Sequence, residues 1–138
     1  MGLVVIASLA TAASASASMG DDMLQMVNHK REARGLHPLR ASRHLTRKAR
    51  VHTRKMIRLN SLFHSRAPAT SPLRRSRWGE NIGCAQSLRR LFRALMRSPV
   101  HRANILQRGF RRVGVGALQA RGRNICGRKS IWTTQIYS

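Results

Sequence analysis

His64, Glu80 and His101 are the side chains of this sequence whose types could do chemistry together. They stand in three short segments: Leu62-Phe63-His64-Ser65, Trp78-Gly79-Glu80-Asn81-Ile82, and Ser98-Pro99-Val100-His101-Arg102-Ala103-Asn104-Ile105-Leu106. Two imidazoles and one carboxylate are a ligand set for a divalent metal such as zinc, with a fourth position left open for water. The same set serves hydrolytic zinc enzymes, so these three are the candidate catalytic residues as well as the candidate metal ligands. They come from separate segments rather than from one His-Glu-x-x-His helix, so spacing adds no support of its own. A structural alternative uses the same atoms: the three side chains hydrogen-bond one another and pin three loops, with Glu80 and Asn81 satisfying loop backbone donors. No Ser-His-Asp order or activated cysteine is evident, and the constellation reads as more structural than enzymatic.

Charge bears on that choice. The chain carries 27 Lys and Arg against four acids, Asp21, Asp22, Glu32 and Glu80, for a net charge of +23. Such a field keeps imidazoles neutral, which favours ligation, but it also repels a dication. A unit charge about 10 Å away contributes ~0.4 kcal/mol in water before screening. The same field attracts polyanions: anionic lipid, acidic wall polymer, glycan or nucleic acid. Twenty-three of the basic residues are Arg, whose fork binds two phosphate or carboxylate oxygens. A genome rich in G and C would give the same bias with no ligand selected. Nucleic-acid binding rests on charge alone, since stacking aromatics are few and no binding motif is present.

At 138 residues the chain is one domain preceded by a leader. Gly2 to Ala10 is uncharged and apolar, and Thr11 to Ala17 is Ala/Ser-rich with Ala-x-Ala cleavage patterns. Residues 1–17 therefore read as a secretory signal peptide and 18–138 as the mature domain, which makes the protein extracellular. The run is too short to span a bilayer of ~30 Å. Cys84 and Cys126 suit a disulfide in an exported protein, worth about 4 kcal/mol in the chain-entropy view; two unpaired buried thiols are the alternative.

The positioning elements follow from local chemistry. Asp21-Asp22 are expected to cap a helix carrying Leu24, Val27 and Arg31 on successive turns, with Gly35 ending it. Leu36 to Leu39 is an extended connector because of Pro38. Ser42 caps a second helix to about Asn60, with Leu45, Ala49, His52, Met56 and Leu59 as its apolar stripe and a basic opposite face. His52 reads as a packed histidine. Residues 65–77 form a loop, and Trp78 to Cys84 a strand or extended turn. Ser87 opens a third helix that Ser98-Pro99 breaks, and His101 to Leu106 adds a short helical turn. Arg112 to Leu118 and Ile131 to Tyr137 make a β-hairpin around a turn at Gln119 to Asn124. Helices first and strands later give an α+β layered domain.

These segments, in this order, resemble a family. Val27 to Leu39, Phe63-His64-Ser65, Gly79-Glu80-Asn81-Ile82, Ser98 to Leu106, Val113-Gly114-Val115-Gly116 and Trp132-Thr133-Thr134-Gln135 look like the short bacterial branch of the CAP superfamily, over about residues 22–137. The resemblance implies a three-layer α-β-α sandwich of the CAP type with a C-terminal β-hairpin, secretion, and a cleft of two histidines and two acids. His64, His101 and Glu80 match three of those positions. Met96, Arg97 and Ser98 occupy the stretch where the second acid is expected, and Leu95 stands where many members carry Trp. The resulting expectation is a secreted CAP-domain protein, not an enzyme, that binds an anionic surface or polymer through its arginines.

Overall fold

The computed structural model describes residues 7–66 and 77–138, with side chains described from residue 19 onward. The elements run α1 (Ala7–Glu32), β1 (Arg40–Ala41), α2 (Arg43–Leu59), β2 (Gly79–Ala85), α3 (Leu88–Arg97), α4 (Pro99–Ile105), β3 (Arg112–Arg121) and β4 (Lys129–Tyr137). Most of the loop expected over 65–77 lies outside the described residues. One sheet has the order β1-β3-β4-β2, with β1 parallel to β3 and the other pairs antiparallel. Strand β2, which carries Glu80, is therefore an edge strand.

Helices cover both faces of this sheet, giving the expected three layers. On one side Met23 and Val27 of α1, Leu91, Phe92 and Leu95 of α3, and Ile105 of α4 pack on Val113, Val115 and Ala117 of β3. On the other side α2 packs through Leu45 and Ala49 against Ile136, and through Met56 against Trp132 and Ile82. Strand alternation sorts these residues, since successive side chains point to opposite faces. It also explains Gly114 and Gly116. A Cβ at Gly114 would lie 2.1 Å from the Leu45 carbonyl carbon, and one at Gly116 would lie 2.5 Å from that of Ala49. The two glycines let the α2 backbone rest directly on β3.

Local punctuation behaves as its chemistry requires. The Ser42 hydroxyl accepts from the Leu45 amide at the start of α2, and the Ser87 hydroxyl accepts from Arg90 at the start of α3. Gly35 takes φ 67 just past α1, while the Leu36 amide bonds back to the Arg31 carbonyl. Pro99 is the first residue of α4, so that helix starts before His101. Cys84 and Cys126 form a disulfide that ties β2 to the β3–β4 turn.

Three expectations shift. Helix α1 begins at Ala7 rather than at an Asp21-Asp22 cap, because alanine is the strongest helix former and nothing before Asp21 breaks the run. Leu59 is 54% exposed rather than part of the buried stripe, because α2 has reached its last residue and leaves the sheet there. The hairpin strands extend to Arg121 and start again at Lys129, so the turn is Gly122 to Arg128. Arg31 is fully buried at the end of the α1 stripe.

The adjacent Glu32 is exposed, and among the described residues no carboxylate pairs with Arg31. Its Nε donates to the His37 carbonyl at 2.8 Å, its Nη1 to the carbonyls of Ile105 and Gln107 at 2.8 and 3.0 Å, and its Nη2 to that of Phe110 at 3.4 Å. The guanidinium closes the ends of α1 and α4 onto the start of β3. Burial lowers its pKa, as does Arg111, while Tyr137 opposes them.

Candidate functional site

The site is built on the edge strand β2 and on the two segments that flank it. Glu80 and Asn81 are neighbours in a strand, so their side chains leave it on opposite sides. Ile82, two residues after Glu80, packs with Met56 of α2. Gly83, two after Asn81, faces Leu91 and Leu95 of α3. Glu80 thus turns toward the chain that follows α2, and Asn81 toward α4.

On the first side the Glu80 carboxylate is buried and collects three donors. His64 Nδ1–H donates to Oε1 at 2.8 Å, the Ser65 amide donates to Oε1 at 2.8 Å, and the Ser65 hydroxyl donates to Oε2. The segment is held from behind as well. His52 Nε2–H donates to the Phe63 carbonyl at 2.7 Å, and the two rings meet edge to face with centroids 5.1 Å apart. His52 is the packed histidine that its place on the stripe predicted, and it also fixes the backbone next to His64. The two partners differ in exposure: the His64 side chain is 62% exposed and that of Glu80 is 2%. This is the ion-pair geometry found among the described residues.

On the other side Asn81 organises α4. Its Nδ2 donates to the His101 carbonyl at 3.0 Å and to Gln135 Oε1 at 3.2 Å, while its Oδ1 accepts from Asn104 Nδ2 at 2.9 Å. Asn104 also donates to the Glu80 carbonyl. Gly79 makes room for this: a Cβ there would lie 2.6 Å from Asn104 Oδ1. Gln135 is the cross-strand partner of Asn81 in the β2–β4 register, which is why the two amides meet. The Tyr137 hydroxyl donates to the same Gln135 oxygen, and burial pushes its pKa up, keeping it neutral.

The sequence-predicted residues are therefore gathered unequally. His64 and Glu80 are in direct contact. His101 stands on α4 with its carbonyl bonded to Asn81, and its pKa is lowered first by burial and then by the nearby His64. Among the described residues no group of three or more His, Cys, Asp or Glu side chains is placed to hold a metal ion. Both Glu80 oxygens already accept protein donors. Ser65, Asn104, Gln135 and Tyr137 were not anticipated as part of the site. Ser65, Asn104 and Gln135 fall within the motifs that carry the family resemblance, whereas Tyr137 does not.

A three-layer α-β-α sandwich with an edge-strand Glu-Asn pair reaching to a histidine on each flank describes a class of domain. The chain belongs to the Cysteine-rich secretory protein (CAP) family, which it matches over residues 24–137. It is 29% identical over 123 residues to the uncharacterized protein YkwD of Bacillus subtilis, covering 83% of this chain and 45% of that one. The chain thus spans less than half the length of this curated relative. Among solved structures it is similar to an outer surface protein of Borrelia burgdorferi, with a TM-score of 0.71 at 15% identity, covering 100% and 98% of the two chains. It is also similar to an extracellular protein containing an SCP domain from Bacillus anthracis, with a TM-score of 0.69 at 21% identity, covering 99% of this chain and 44% of the other. No helix among the described residues is long and apolar enough to cross a membrane.

Proposed function

We propose that this chain is a secreted CAP-domain protein that binds an anionic partner through its arginine surface and is not an enzyme. The observation that carries this is charge without compensation. Against 27 basic residues stand four acids, of which Glu80 is buried and Asp21, Asp22 and Glu32 are exposed on α1. Helix α2 contains no acid and exposes Arg43, Arg47, Arg54, Lys55 and Arg58. Each cation near an anionic surface is worth about 1 kcal/mol, so about eight acting together reach micromolar binding. The proposed signal peptide, residues 1–17, fits this reading, as do the relatives described as extracellular. Its removal would leave Asp21 and Asp22 near the start of the shortened α1, where acids favour the helix dipole. The test is binding to heparin and to anionic vesicles as salt is raised. Affinity is expected to fall steeply with salt; absent or salt-independent binding overturns the proposal.

A second reading makes His64, Glu80 and His101 a zinc site of a metal-dependent hydrolase. The Glu80–His64 contact and a His101 kept neutral by burial favour it. It requires Glu80 to exchange a serine donor for the metal. Zinc should then raise the unfolding temperature of the native protein but not that of Glu80→Gln; no rise in either removes this reading.

A further inference from the structure

The β3–β4 turn and the end of α2 come together at one end of the molecule. Asn60, the residue that caps α2, accepts the Ile125 amide on its Oδ1 at 2.8 Å. Around this bond stand three of the large apolar side chains most exposed in the structure: Leu59 at 54%, Leu62 at 40% and Ile125 at 56%. Their exposure does not come from a loose loop. Asn124 Oδ1 accepts from the Cys126 amide and the Ser130 hydroxyl, both at 2.9 Å, and Asn124 Nδ2 donates to the Gly122 carbonyl at 3.1 Å. Gly122 and Gly127 take the positive φ values of 83 and 103 that the turn requires, and Cys126 is bridged to Cys84 in β2. A built turn is holding an isoleucine out to solvent.

The surroundings are cationic. Arg58, Arg121, Arg123, Arg128 and Lys129 are all exposed. A groove of about 570 Å³ beside the turn is lined by Gln119, Arg121, Gly122, Arg123, Arg128 and Lys129, with no acid among them. We propose that this end of the molecule docks on an anionic lipid bilayer, with Ile125 and Leu59 entering the headgroup layer and the surrounding arginines binding lipid phosphates. The proposal rests on the anionic-partner reading above and narrows it to one partner and one surface. Apolar tips ringed by cations suit a bilayer, where hydrophobic insertion and charge attraction add. A nucleic acid or soluble polyanion would use the arginines but gain nothing from Ile125 and Leu59; single strands in particular want aromatic platforms, and the groove residues include none.

The experiment compares sedimentation with phosphatidylcholine vesicles, the same vesicles containing phosphatidylglycerol, and retention on heparin. The native protein is expected to bind the anionic vesicles and not the neutral ones. Replacing both apolar tips (Ile125→Ser with Leu59→Ser) should weaken vesicle binding on the order of tenfold while leaving heparin binding unchanged. Both side chains are more than half exposed, so the unfolding temperature should hold. Ile125→Trp gives an independent readout, a blue shift of emission on anionic vesicles. An unchanged vesicle affinity in the double variant, or an unshifted tryptophan, overturns the docking surface. Heparin binding without vesicle binding also overturns it yet leaves the wider anion reading standing, whereas no binding to either removes both.

Discussion

Arg31 sits fully buried at the end of α1, and Glu80 sits buried on the edge strand β2. Neither faces a full opposite charge in the protein interior, yet they are satisfied in different ways. Arg31 spreads its donors over four carbonyls from three stretches of chain, and none of those groups reaches solvent through it. Glu80 gathers its donors from the single dipeptide His64-Ser65, and one of them, the imidazole, lies mostly in water. The first arrangement is a clamp that closes a core. The second is a tether that holds an imidazole at the surface. A buried charge therefore says little about function until its partners' exposure is known.

Three measurements would break or sharpen this contrast. The largest effect is expected from Arg31→Ala, which orphans four carbonyls and opens space in the core; denaturant unfolding should show a loss of about 3–5 kcal/mol. A loss under about 1 kcal/mol would mean that water replaces the guanidinium and that no clamp exists. Glu80→Gln keeps the shape and one set of lone pairs but presents an N–H₂ to its former donors. About 1–3 kcal/mol is expected, with faster hydrogen exchange confined to the Ser65 amide and its neighbours. Exchange that rises across the sheet instead would place Glu80 with Arg31 as a core residue.

The smallest effect is expected from acidification. The folded-state pKa of His101 lies below its ordinary value of 6.5, so below that pH the unfolded chain binds more protons than the folded one. The stability tied to neutral His101 is complete above about pH 6.5 and declines as pH falls from there through the lowered pKa. Arg31 keeps its charge throughout that range. A pH titration of unfolding should therefore slope downward in the native protein and less so in His101→Gln; equal slopes would detach His101 from the Glu80 corner.

How far the sequence disclosed all this depended on distance along the chain. Ser42, Ser87, Gly35 and Pro99 announce their roles because their partners lie within four residues. His52 could be read as packed because it falls on the stripe of α2. The family resemblance singled out His64 and Glu80, which do meet. The claim of Ser65 on Glu80 was not legible, since residues 65 and 80 have no periodic relation. Nor was the Asn81–Gln135 contact, which exists only once β2 and β4 pair in one register. Arg31 was visible as a stripe position but not as a clamp, because three of its carbonyls are supplied from the far third of the chain. The α1 helix starting at Ala7 shows the converse: alanine propensity was on the page, but Asp21-Asp22 offered the stronger start signal.

Arg31 finally bears on the order in which the molecule can assemble. Its bonds to Ile105, Gln107 and Phe110 span 74, 76 and 79 residues. A chain emerging from its N-terminus holds this arginine without those three acceptors until most of the sequence has been made. The Arg31 clamp is complete only once Phe110 has been made, and contacts of such long range slow folding. The same residue that seals the finished core thus leaves the nascent one open until its distant carbonyls have been made.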